Sequence, residues 1–96
     1  MPDTLRFEWD PRKAAVNRAK HKVSFEEAVT AFRDPFGRIT DDARHSNDED
    51  RYVLLGLSER RRLVAVMFTE RGEAIRLIST RKATRRERGD YEKSKG

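Results

Sequence analysis

Three features of this 96-residue sequence predict an α+β fold. Apolar residues recur at every second position in some short blocks and at helical spacing in others. Two Ser/Thr-x-x-Glu boxes mark helix starts. Three strand-like blocks in the second half are separated by short charged turns that suit antiparallel hairpins. The predicted order is an N-terminal strand, two helices, a four-stranded antiparallel meander and a C-terminal helix. That order places the helices on one face of the sheet.

Leu5-Arg6-Phe7-Glu8-Trp9 alternates apolar and charged residues, as a strand does. Asp10-Pro11 then supplies an N-cap and a first helical residue. The helix from Pro11 to about Lys20 has a thin apolar stripe (Ala14, Ala15, Ala19), with Lys13, Asn17, Lys20 and His21 on the other side. Ser24-x-x-Glu27 opens a second helix, whose Phe25, Ala28, Val29 and Phe32 follow the i, i+3, i+4, i+7 pattern. Asp34-Pro35 ends it. Phe36 to Thr40 reads as a strand, and Asp41 to Asp50 most simply as an acidic solvated loop, with shielding of the basic face or docking of a partner as the alternatives. Strands follow at Tyr52 to Leu57, Leu63 to Thr69 and Ala74 to Thr80. Leu63 to Phe68 is apolar on both faces and is expected at the centre. Thr84-x-x-Glu87 starts the last helix.

The length allows one domain, residues 1–96. With 35% hydrophobic and 41% charged residues, the core must be small and the surface heavily charged. The absence of cysteine excludes a disulfide scaffold and fits a reducing compartment. No apolar run approaches the roughly 20 residues of a membrane span, and no signal-peptide core follows Met1. A cytoplasmic protein without a membrane role is expected. A pI near 10.0 favours a nucleic acid or an acidic protein as partner.

The charge is concentrated. Residues 81–96 hold seven Lys/Arg and three Asp/Glu, which is +4 of the chain's +5. Arg85 and Arg86 fall in the first turn of the last helix, where the helix dipole disfavours cations. A local rule broken in this way points to a functional surface. Polyanion binding is the expectation, with Arg85, Arg86 and Arg88 gripping phosphates.

Metal chemistry has little support in the residues. His21 and His45 have no carboxylate at ligand spacing, and Asp48-Glu49-Asp50 lacks the pattern of a calcium loop. There is no phosphate loop or nucleophile elbow, and no cofactor is expected. Groups suited to cutting RNA without a metal do occur. That reaction needs a base near the 2′-hydroxyl, a cation for the charge on the phosphate, and an acid for the leaving 5′-oxygen. Arg51, Arg76 and Arg81 are candidate cations, and His21, Glu49, Glu87 and Tyr91 are candidate proton-transfer groups. Lys20 and Lys22 are candidate backbone clamps. Each has a plainer reading. Arg76 can be a structural ion-pair partner of Glu8 or Glu49, Tyr91 an apolar anchor, and His21 a helix C-cap. Phe7 and Trp9 are expected in the core.

Phe7-Glu8-Trp9-Asp10, the stretch Asn17 to His21, Val23-Ser24-Phe25-Glu26-Glu27-Ala28, Glu49-x-Arg51, and Ile75-Arg76 through Ser79-x-Arg81-Lys82-Ala83 to Glu87 and Tyr91 together resemble the BrnT family. The resemblance spans residues 5 to 92. It implies the endoribonuclease toxin of a type II toxin–antitoxin module, with a RelE-like fold, that cleaves RNA and stops translation. It further implies neutralisation by a BrnA-type antitoxin with a ribbon-helix-helix part, the complex binding operator DNA. One departure stands out: Lys22 occupies the position after the histidine where the family usually has glycine. A left-handed backbone there costs a lysine about 1 kcal/mol or more. Either the turn is looser or Lys22 adds a phosphate contact. The rival reading, from another class, is a non-catalytic nucleic-acid-binding or regulatory module. In a third, the basic segment mainly holds the antitoxin.

Overall fold

The computed structural model describes residues 5–42 and 50–95. Eight elements follow in order: β1 (Arg6–Glu8), α1 (Pro11–His21), α2 (Phe25–Ala31), β2 (Arg38–Asp41), β3 (Tyr52–Leu57), β4 (Leu63–Arg71), β5 (Ala74–Lys82) and α3 (Arg85–Lys95). The five strands form one sheet in the order β1-β5-β4-β3-β2. β2 to β5 pair antiparallel in chain order, and β1 joins β5 in parallel, which makes the sheet mixed.

The helix starts obey their sequence signals. The Asp10 carboxylate accepts the Arg12 N–H at 2.9 Å, with Pro11 behind it. Ser24 Oγ accepts the Glu27 N–H at 3.0 Å. The Glu27 side chain does not complete a box there. It turns inward, where its carboxylate takes the Ser58 hydroxyl at 2.7 Å and the Arg62 guanidinium. Arg62 first, and Ser58 with it, hold that carboxyl below the usual carboxylate range against the opposing effect of burial. The third start is a complete box: Thr84 Oγ1 accepts the Glu87 N–H at 3.1 Å and Glu87 Oε1 accepts the Thr84 N–H at 2.9 Å.

β4 lies in the middle of the sheet and is buried on both faces. Val64 and Val66 pack with Val23, Phe25, Ala28 and Ala31 on one side, where Phe7 and Trp9 also settle. Ala65 packs with Leu55, Leu63 and Tyr91 on the other. The expectation of helices on one face is therefore corrected: α2 covers one face and α3 the opposite one. The physical reason is the two-sided strand, which must lose water on both faces. Gly56 lets α2 approach β3 closely, since a Cβ there would lie 2.8 Å from the Ala31 carbonyl oxygen.

The placement of α1 differs from its alanine stripe. Ala15 and Ala19 are exposed and Asn17 is buried. β1 pairs with β5 from Ala74 to Arg76 and leaves the rest of that edge open. Asn17 closes it. Its amide oxygen accepts the Thr80 N–H at 3.0 Å, and its amide nitrogen donates to the Thr80 carbonyl at 2.9 Å and the Val23 carbonyl at 3.1 Å. A side-chain amide thus satisfies one residue of a strand edge that is otherwise unpaired. Lys22 ends α1 with φ 61° and ψ 25°, its N–H donating to the Arg18 carbonyl at 2.9 Å. The turn is left-handed despite the lysine.

Candidate functional site

Arg76 and Arg81 are five positions apart, so a regular strand would point them to opposite faces. The register shifts between them. Phe68 pairs with Leu77 and Met67 with Ser79, leaving Ile78 as an extra residue. Arg76 then stands opposite Thr69 and Arg81 opposite Ala65. Ala65 belongs to the α3 side of the core, and Thr69 lies four residues on along the same strand. The bulge therefore puts both arginines on the face covered by α3.

On that face lies a cleft of about 640 Å³, lined by Thr40, Asp41 and Asp42 at the end of β2, by Arg51 and Val53, by Met67, and by Ile78, Ser79, Arg81 and Glu87. Two guanidiniums enter it. Arg51 is held at the mouth of β3, where its carbonyl accepts the Asp42 N–H at 2.8 Å. Its Nε is buried without a hydrogen-bond partner among the described residues. A buried donor left unpaired is rare and calls for a partner such as water or an ion. Arg81 is gripped by Glu87 through two bonds, Nη1 to Oε1 at 2.8 Å and Nη2 to Oε2 at 3.1 Å. Arg81 first holds the Glu87 carboxyl below its usual range, and Glu87 in turn raises Arg81. Glu87 is consequently an anion near neutrality and a poor proton donor.

A second cleft of about 360 Å³ lies on the other flank of the β5 edge, between α1 and the bulge. Lys20, His21, Arg12 and Lys13 line it together with Ile78 and Ser79. The bulged pair Ile78-Ser79 is thus a wall shared by both clefts. The structure brings Lys20 and His21 to one side of it and Arg51 and Arg81 to the other.

The remaining expected site residues disperse. Arg76 shares the face of Arg81 but pairs with Glu8, Nη1 to Oε2 at 3.2 Å, and does not line the cleft. Lys22 lies on the far flank of α1, beside Arg18, Arg60 and Arg62. Arg85, Arg86 and Arg88 are exposed on α3. Glu49 and His45 lie outside the described residues. Tyr91 does not line the cleft. It is 3% exposed, sits in the core under α3, and its hydroxyl donates to Asp34 Oδ2 at 2.5 Å. Burial first, and the Asp34 carboxylate with it, push its pKa up to about 12. A phenol so placed anchors α3 against the sheet. Three residues escaped the sequence reading. Asp41 and Asp42 looked like loop solvation, and Ser79 stood inside a recognisable motif with nothing to single out its hydroxyl. Among the described residues no three His, Asp or Glu side chains converge as a metal site would require.

The family model described as ribonuclease toxin, BrnT, of type II toxin–antitoxin system matches residues 9–87. The chain belongs to the BrnT family. That span contains both clefts' arginines, Lys20, His21 and Glu87. As a BrnT protein it is a ribonuclease toxin of a type II toxin–antitoxin system, with RNA as target and an antitoxin as partner. The crystal structure of the Brucella abortus ribonuclease toxin BrnT is similar, with a TM-score of 0.60 and 25% identity, covering 85% of this chain and 100% of that one. A comparison with curated proteins gives no match. Among the described residues, no helix is long and apolar enough to cross a membrane.

Proposed function

We propose that this BrnT toxin cleaves RNA without a metal, in the cleft between Arg51 and Arg81. The observation that carries the reading is the convergence of two guanidiniums on one cleft, one fixed by Glu87 and one whose buried Nε has no partner among the described residues. In the reaction the 2′-hydroxyl loses its proton and attacks the adjacent phosphorus, and the 5′-oxygen leaves and takes up a proton. The products are a 2′,3′-cyclic phosphate and a 5′-hydroxyl end. Arg51 and Arg81 stabilise the charge that grows on the phosphoryl oxygens. His21, across the Ser79 wall, and Glu49, next but one to Arg51 in sequence, are the proton-transfer groups. Arg76 extends the positive face along β5, Lys20 grips the backbone beside His21, and Arg85, Arg86 and Arg88 hold phosphates or the antitoxin. The antitoxin is of the BrnA type, its ribbon-helix-helix part carries the complex to operator DNA, and the toxin acts in the cytoplasm with a fold akin to RelE ribonucleases.

Incubation of RNA with the pure toxin in EDTA tests this. Cleavage with cyclic-phosphate ends is expected; no cleavage until magnesium is added would contradict it. One observation favours a non-catalytic binding module instead: Glu87, the cleft carboxylate beside Arg81, is already committed to that arginine. In that case Arg76→Ala would weaken RNA binding and toxicity together, with a loss of roughly one unit of salt slope. The ribonuclease reading expects toxicity to fall while binding persists.

A further inference from the structure

Among the described residues, the non-glycine residues with a left-handed backbone are Lys22, with φ 61°, and Arg61, with φ 63°. Both are positions where sterics favour glycine, and both carry a cation instead. They are far apart in sequence yet flank one surface. Lys22 lines a cleft of about 550 Å³ with Arg18, Arg60 and Arg62, and Arg61 is the residue between the last two.

The two strained turns are tied together. Arg62 Nη2 donates to the Lys22 carbonyl at 3.1 Å, while Nε of the same guanidinium donates at 2.9 Å to Glu27, whose side chain is 3% exposed. Ser58 supports the same carboxylate and closes the turn, its N–H donating to the Arg62 carbonyl at 2.9 Å. Arg62 is consumed in this framework. Arg18, Lys22 and Arg60 are exposed and, among the described residues, make no ion pair; Lys22 Nζ donates to the Ala19 carbonyl at 3.0 Å. Strain kept at two sites by a buried ion pair, with cations presented above it, is the mark of a built surface.

The uncharged lining is Ala15, Ala19 and Ser24, with no aromatic or large aliphatic side chain. A protein partner would need such apolar anchors; a phosphodiester chain needs only cations. We propose that Arg18, Lys22 and Arg60 form a second phosphate-binding subsite, which grips the backbone of an RNA strand outside the cleavage cleft. It lies on the flank of α1 opposite Lys20 and His21. No acidic residue occurs within α1 to repel a strand that crosses it. The proposal rests on the ribonuclease reading for its ligand.

The test is the affinity of the whole toxin for a long 2′-O-methyl oligoribonucleotide, which it cannot cleave, over a range of salt concentrations. Arg18→Gln/Arg60→Gln, which leaves the Glu27–Arg62 framework in place, is expected to bind at least tenfold more weakly. Its salt slope should be about 1.4 units shallower, at about 0.7 per single-strand phosphate contact. Lys22→Gly is the second variant. It should melt at a higher temperature because the strain is relieved, yet bind more weakly. Unchanged affinity and slope in both variants would overturn the subsite, as would loss of antitoxin binding with RNA binding intact, which would give the surface to a protein. A wild-type toxin that binds RNA but never cuts it would defeat the ribonuclease reading and leave this comparison readable.

Discussion

Arg81 and Glu87 hold each other through two hydrogen bonds, 2.8 and 3.1 Å long, across the junction where β5 gives way to α3. The same carboxylate accepts the Thr84 N–H. One side chain therefore starts a helix and aims an arginine. It also answers the two cations in that helix's first turn, because a carboxylate at the third position offsets part of the unfavourable dipole interaction of Arg85 and Arg86.

Glu87→Ala should accordingly lower stability by about 1–2 kcal/mol at neutral pH, combining a lost cap with a partly exposed ion pair. The pH dependence has a definite sign. The folded-state pKa of Glu87 lies below its ordinary 4.5, so its contribution is complete above that value and is lost as pH falls through the lowered one. Urea titrations should show the gap between wild type and variant closing in acid. Cleavage should also fall, since Arg81 loses its orientation.

The Tyr91 hydroxyl offers the opposite profile. Tyr91→Phe removes the bond to Asp34 and should cost about 1–2 kcal/mol, without altering the rate of RNA cleavage. The raised pKa of about 12, against 10.0 in an ordinary tyrosine, stabilises the fold below pH 10, and that share is lost as pH rises through 12. Alkaline denaturation monitored by circular dichroism should show this component in the wild type and not in the phenylalanine variant.

Asn17→Ala leaves the N–H and carbonyl of Thr80 unpaired at a buried edge. About 3 kcal/mol of stability should be lost, measured by denaturant unfolding. Hydrogen exchange at the Thr80 amide should accelerate in the native state, because the group that covers it is gone.

Much of this architecture was legible in residues. Asp10-Pro11, Ser24 and Thr84-x-x-Glu87 started helices where they appear, and the two-sided apolar pattern of Leu63 to Phe68 placed β4 at the centre. That same pattern already required cover on both faces, so the position of α3 was available to a stricter reading. The bulge was not. Ile78 looks like any strand residue, and its being extra depends on pairing with β4, a tertiary fact. Without it Arg76 and Arg81 appear to face opposite ways, and the wall shared by the two clefts cannot be seen. Asn17 misled for a related reason. Periodicity counts a polar residue as solvent-facing, whereas here an open strand edge needed a donor and an acceptor at one point. Tyr91 had two readings in sequence, and its bond to Asp34, 57 positions away, depends on tertiary packing that periodicity does not show.

The most direct measurement compares Arg51→Gln with wild type for the single-turnover rate of RNA cleavage in EDTA, with affinity measured on uncleavable RNA. Arg51 Nε has no hydrogen-bond partner among the described residues, and denaturant unfolding of the variant separates any loss of stability from the loss of rate. The account predicts a rate about a hundredfold lower with affinity reduced only a few-fold. A variant that cuts as fast as wild type, or whose rate falls only in step with its binding, would contradict it.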